Sequence, residues 1–96
     1  MRRTIRDFLR ELDPEILCAD GYDEAIIGYC SVSGSFRAVY DMEKMVVVFM
    51  RANDATREDA VSYLQYNCWD SVAGDRNPIY IDLITEKDIG EWVEYE

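Results

Sequence analysis

The sequence predicts an α+β fold: a small antiparallel sheet of about three strands packed against two central helices, with further helices at the N- and C-terminal ends, in the order α-β-β-α-α-β-α. Three observations predict it. Apolar residues recur at helical spacing near both ends and in the middle of the chain, two β-rich runs flank Ser33-Gly34-Ser35, and a third β-rich run follows Asn77-Pro78. The length of 96 residues fits one domain, residues 1–96, able to bury roughly 60–65% of its unfolded surface. An apolar fraction of 49% with 12% aromatics argues against intrinsic disorder despite the charge. No repeat, linker or low-complexity stretch divides the chain.

Ile5, Phe8, Leu9 and Leu12 at i, i+3, i+4 and i+7 predict an amphipathic first helix, stopped before Asp13-Pro14. It carries four of the ten basic residues, a solvated face that neutralises part of the acid-rich remainder. Between Glu11 and Ser35 no basic residue occurs, while Glu11, Asp13, Glu15, Asp20, Asp23 and Glu24 accumulate, which predicts a negative patch. Asp20 to Glu24 reads as a turn. Residues 25–32 then form one arm of a hairpin around Gly34, and Phe36 to Tyr40 form the other. Asp41 stands where a helix N-cap belongs, before Met42 to Ala52. Met45, Val46, Phe49 and Met50 have helical spacing there, although Val46-Val47-Val48-Phe49 would also suit a buried strand. Thr56-Arg57-Glu58-Asp59 approximates a capping box ahead of an apolar stripe of Val61, Leu64, Cys68 and Val72, with Gly74 as the stop. Ile79 to Ile84 predict a strand that pairs with the hairpin. Thr85-Glu86-Lys87-Asp88 repeats the cap pattern before Ile89, Trp92 and Val93, a short last helix.

Twenty acidic residues oppose ten basic ones and histidine is absent, giving a formal charge of -10 and a pI near 4.3. Direct binding to nucleic acid or to an anionic membrane is disfavoured, because both need Lys and Arg to displace counterions. Without histidine a hydrolytic triad or an ordinary zinc site lacks its usual base or ligand. Asp20-Gly21-Tyr22-Asp23-Glu24 lacks the frame of a Ca²⁺ loop, and no phosphate-binding, dinucleotide-binding or nucleophile-elbow motif occurs. A carboxylate pair is the remaining enzymatic option, and with so many acids chance proximity accounts for any pair. We therefore expect no catalytic, cofactor or metal residues, and not an enzyme. Cys18, Cys30 and Cys68 have no metal-ligand spacing and read as reduced, packed thiols. The longest apolar run is Met45 to Met50 and the N-terminus is charged, so no membrane partner and a cytoplasmic location are expected.

Two surfaces suit a protein partner. Tyr63, Tyr66, Asn67 and Asp70 follow at i, i+3, i+4 and i+7 on the third helix, beside Trp69, combining aromatic anchors with an acid that steers a basic partner. In the plainer reading the tyrosines cover the sheet edge and Asn67 satisfies the loop near Gly74. The second surface is the acidic tail, where Asp82, Glu86, Asp88, Glu91, Glu94 and Glu96 face only Lys87. Such a strip can imitate the phosphate row of a duplex, or simply keep the protein soluble.

Gly21-Tyr22-Asp23-Glu24-Ala25-Ile26-Ile27-Gly28, Val39-Tyr40-Asp41, Thr56-Arg57-Glu58-Asp59-Ala60 with Tyr63, Tyr66 and Asn67, and Gly74-Asp75-Arg76-Asn77-Pro78-Ile79 together resemble a group of small phage and prophage proteins of uncharacterised function. The resemblance spans residues 20–81. Where the group has a glycine between the middle helices, this chain has Asp54-Ala55. The resemblance implies a context in which small acidic proteins inhibit host defence, anti-CRISPR proteins and DNA mimics among them. The expectation is a phage or mobile-element accessory protein, acting in the host cytoplasm. It would block a basic host protein, such as a nucleic-acid-binding defence effector, through Tyr63, Tyr66, Asn67, Asp70, Glu86, Asp88, Glu91 and Glu94. The alternatives are a protein that sequesters a small ligand and a homo-oligomeric module, a homodimer for example, built on the exposed tyrosines.

Overall fold

The computed structural model describes residues 2–70, 74, 76–85 and 88. Within them the chain is α+β, with helices α1 (Ile5–Leu12), α2 (Met42–Asn53) and α3 (Arg57–Leu64) and strands β1 (Ile26–Val32), β2 (Ser35–Asp41) and β3 (Ile79–Ile81). A last helix after Thr85 falls on residues that, apart from Thr85 and Asp88, lie outside the described ones.

Helix α1 starts three residues later than Arg2 because Thr4 caps it. The Thr4 hydroxyl accepts from the Asp7 N–H and the Asp7 carboxylate accepts from the Thr4 N–H, a complete capping box. Leu9 is buried and Leu12 half-buried, while Phe8 stays largely exposed against the Tyr29 ring, 5.7 Å between centroids. A single 3₁₀ turn, Asp23–Ala25, leads into β1. The hairpin closes through Ser33 (φ 50°) and Gly34 (φ 82°), both left-handed, with Val32 opposite Ser35. Positive φ at both central residues is the turn whose twist matches that of the strands. A bulge at Ile27 lies between the Ile26–Tyr40 and Gly28–Val39 pairs.

The choice between helix and strand for residues 42–52 resolves as helix. Asp41, buried at 5% exposure, ends β2 and caps α2, its carboxylate accepting from the N–H groups of Glu43 (2.9 Å) and Lys44 (3.3 Å). Asp54 ends α2 in the left-handed conformation (φ 51°, ψ 46°), and the N–H groups of Asp54 and Ala55 both return to the Met50 carbonyl. An aspartate thus occupies the backbone conformation that glycine usually fills. Thr56 caps α3 through the Asp59 N–H. Residues 65–69 then widen into a π turn, marked by the Asp70 N–H bonding to the Gln65 carbonyl at 3.1 Å.

The sheet has the order β1-β2-β3, and here the structure departs from the antiparallel expectation: β1 and β2 are antiparallel, but β3 joins β2 in parallel, with Tyr40 opposite Tyr80 and Asp41 opposite Ile81. Residues 42–78, which include α2 and α3, are long enough to return the chain to the end of the sheet from which β2 began, as parallel pairing requires. Strand β3 also stops at Ile81, short of Ile84. The core collects Leu9, Ile16, Ala25, Ile26, Ala38, Tyr40, Met45, Val46, Ala60 and Leu64, drawn from every element except β3, whose Tyr80 packs against it.

Candidate functional site

Charge locates the site, because the structure redistributes it. All six acids of the expected negative patch meet arginines from elsewhere: Glu11 pairs with Arg3, Asp20 and Asp23 with Arg6, Glu24 with Arg51, and Asp13 and Glu15 with Arg76. Arg6 is held by Asp23 through Nε at 2.8 Å, and this bond raises its already high pKa. Arg3, Arg6, Arg51 and Arg76 therefore offset much of the charge of that stretch, with Arg6 and Arg76 each shared between two acids. Asp7 and Asp41 are used as caps.

Asp82 and Asp88, which form no ion pair with a described residue, lie beyond the ends of β2 and β3 and beside the starts of α2 and α3. Because Asp41 is in register with Ile81, the carboxyl ends of the two parallel strands are side by side, and Asp82 leaves β3 next to the N-terminus of α2. Asp41, Glu43, Arg57, Asp82, Leu83, Ile84, Thr85 and Asp88 line a cleft of about 700 Å³ there. Four carboxylates face one guanidinium. Glu43 and Arg57 form a two-pronged ion pair, Nη2 to Oε2 at 2.7 Å and Nη1 to Oε1 closer, which holds the Glu43 carboxyl below its usual range and bridges α2 to α3. Asp88 accepts from the Thr85 N–H at 2.9 Å and from its hydroxyl at 3.2 Å, which ties these two residues together. Leu83 and Ile84 stand 55% and 78% exposed beside these acids. The site is an apolar pair in an anionic frame.

Asp88 of the expected partner-binding residues is in this cleft, while Glu86, Glu91 and Glu94 lie outside the described residues. Tyr63, Tyr66, Asn67 and Asp70 do not reach it. Tyr63 stacks on Phe49, ring centroids 4.7 Å apart, and joins α2 to α3. Tyr66 is 87% exposed. Asn67 donates to the Tyr63 carbonyl at 2.9 Å, one turn back, while residues 71–73 and 75 of the loop near Gly74 lie outside the described residues. The π turn places an extra residue in this stretch, so Asp70 no longer continues an α-helical stripe with Tyr63 and Tyr66.

Charge counting from sequence missed Glu43, Arg57, Leu83 and Ile84 as site residues. The available signal was two exposed-strength aliphatics followed by a cap pattern, after an acid at the end of a β-rich run. A second, smaller cleft of about 340 Å³ lies between residues 17–22, the π turn and residues 77–80, and Cys18, Cys68, Tyr22 and Tyr80 line it. Burial pushes the Cys68 thiol and the Tyr22 and Tyr80 hydroxyls up from their ordinary values, so all three are neutral at pH 7. All three cysteines are unpaired thiols. Among the described residues no group of three or more Cys, Asp or Glu side chains could hold a metal ion, and no helix is long and apolar enough to cross a membrane.

No protein family, no curated protein and no solved structure matches this chain.

Proposed function

We propose that the protein is a binding module that docks a basic, partly apolar segment of another protein into the cleft formed by Glu43, Arg57, Asp82, Leu83, Ile84 and Asp88. The observation that carries this reading is the placement of exposed Leu83 and Ile84 between Asp82 and Asp88, when the acids of the other acid-rich stretch are all paired with arginines. Aliphatic side chains supply area for contact, and the surrounding carboxylates favour Lys or Arg and repel acidic competitors. Arg57, tied to Glu43, shapes the site without cancelling it. In its sharper form the partner is a nucleic-acid-binding host defence protein and the module an anti-CRISPR-like inhibitor of phage or mobile-element origin. The support for that form is the resemblance over residues 20–81 together with the acidic, histidine-free composition.

The test is a parallel affinity capture from host lysate with wild-type protein, Asp82→Lys and Leu83→Ala/Ile84→Ala, repeated with Tyr66→Ala as a control for the other surface. A partner retained by wild type, released by about 0.5 M salt and lost with both variants supports the reading. A partner retained equally by all three rejects this cleft, and one lost only with Tyr66→Ala moves the interface to the π turn. The small-ligand alternative is favoured by one observation, the aromatic and thiol-lined cleft beside Cys18 and Cys68. A metabolite carried through native mass spectrometry would support it.

A further inference from the structure

Among the described residues strand β1 is an open edge of the sheet, and it lacks the features that usually keep an edge from pairing. Its seven residues, Ile-Ile-Gly-Tyr-Cys-Ser-Val, include no charge and no proline in a chain that is 31% charged. The opposite edge, β3, is protected by being three residues long. The one protective device on β1 is the bulge at Ile27, which leaves residues 28–32 as a regular stretch. No backbone hydrogen bond outside the hairpin ladder reaches residues 27–32 from any described residue.

The hairpin fixes which backbone groups are free. In a two-residue turn the first flanking residue bonds the last, so Val32 and Ser35 face each other, and the alternation of an antiparallel ladder then directs Cys30 and Gly28 toward β2 as well. Tyr29 and Ser31 consequently direct their N–H and C=O groups outward. Two copies of such an edge match each other when related by a twofold axis through Cys30. Tyr29 of each copy then meets Ser31 of the other in a doubly hydrogen-bonded pair, Gly28 meets Val32, and Cys30 meets Cys30 in the narrow, non-hydrogen-bonded position. Each large side chain is set against a small one, and no like charges oppose one another.

We propose that a second copy of this chain occupies the β1 edge, giving a six-stranded sheet in the order β3-β2-β1-β1-β2-β3 across a molecular twofold. The absence of charge is what selects a second copy. Each molecule carries a formal charge of -10, and this strand is the stretch of sheet edge where two such molecules can approach with no ionised side chain between them. The acidic clefts beyond β3 then lie at the two far ends of the joined sheet, so this inference is independent of what those clefts bind.

The narrow pair makes the arrangement directly testable, because opposed residues there have Cα atoms about 4.5 Å apart, within the span of a disulfide. Light scattering over a concentration series is expected to show a particle of twice the 11.2 kDa chain mass. Treatment with diamide should trap that particle as a covalent dimer in wild type and in Cys18→Ser/Cys68→Ser, but not in Cys30→Ser. Ser31→Lys, which adds a charge to the outward edge and leaves the hairpin ladder intact, should raise the dimer dissociation constant by about tenfold or more. Cys30→Ser should remain dimeric by light scattering, separating the interface from the cross-link. A monomer at every concentration overturns the proposal. So does a dimer that Ser31→Lys leaves unchanged or that diamide links through Cys18 or Cys68.

Discussion

The backbone N–H of Ala19 donates a 2.7 Å hydrogen bond to the hydroxyl of Tyr40, which lies fully buried near the end of β2. The bond ties the loop between α1 and β1 to the core, and the Tyr40 ring also packs on Tyr80 of β3 at 5.6 Å. Tyr40→Phe keeps the ring and orphans the Ala19 N–H. It should cost about 1–2 kcal/mol in urea unfolding, the range for a half-buried donor left without its acceptor. A loss below a few tenths would mean that water replaces the hydroxyl.

Alkaline pH should weaken the fold. Burial is the leading cause that raises the pKa of Tyr40, and it acts likewise on Tyr22, Tyr80 and Cys68. Each group holds its proton more tightly folded than unfolded. Their contribution is complete below the unfolded values, about 8.5 for Cys and 10 for Tyr, and is lost as pH rises through the folded ones. Stability measured by urea should therefore be level from pH 7 to about 8.5 and fall steadily from about pH 9 to 11, most steeply above 10. A flat profile to pH 11 would contradict these environments.

Asp41 joins a strand end to a helix start, and its carboxylate is buried while accepting from Glu43 and Lys44. Asp41→Ala should destabilise by about 1–2 kcal/mol, whereas Asp41→Asn, which keeps the cap, should lose far less. Equal losses in the two variants would assign the effect to charge rather than to capping.

Asp54 lies in the left-handed region at the end of α2. Glycine accepts that conformation without a Cβ penalty, so Asp54→Gly should raise the unfolding free energy by about 0.5–1 kcal/mol. A decrease would show that the entropy gained by the unfolded glycine chain exceeds the strain relieved.

Local signals in the sequence found the local structure. Ser33-Gly34 marked the hairpin, Asp41 and Thr56 marked two helix starts, and the spacing of Met45 and Val46 outweighed the strand propensity of the valines. Thr4 and Asp7 form a capping box that was equally legible and would have set the start of α1. Longer-range relations were not legible. The direction of β3 depends on how far the crossover carries the chain, and the π turn at 65–69 depends on packing that no periodicity encodes. The same limit governs the site. Acids counted along the chain pointed to residues 11–24, and only the fold shows Arg6, Arg51 and Arg76 arriving there, with Asp82 and Asp88 in no ion pair with a described residue.

The parallel entry of β3 has a consequence for synthesis. Strand β2 is complete once Asp41 has left the ribosome, but its partner on that side is not made until Ile79 to Ile81 emerge, and Arg76 cannot clasp Asp13 any earlier. Through the intervening elongation the hairpin has two open edges instead of one, with Tyr40 lacking the ring of Tyr80. A nascent chain stalled near residue 75 should therefore be far more susceptible to protease and to chaperone capture than one stalled after the whole sequence has cleared the exit tunnel.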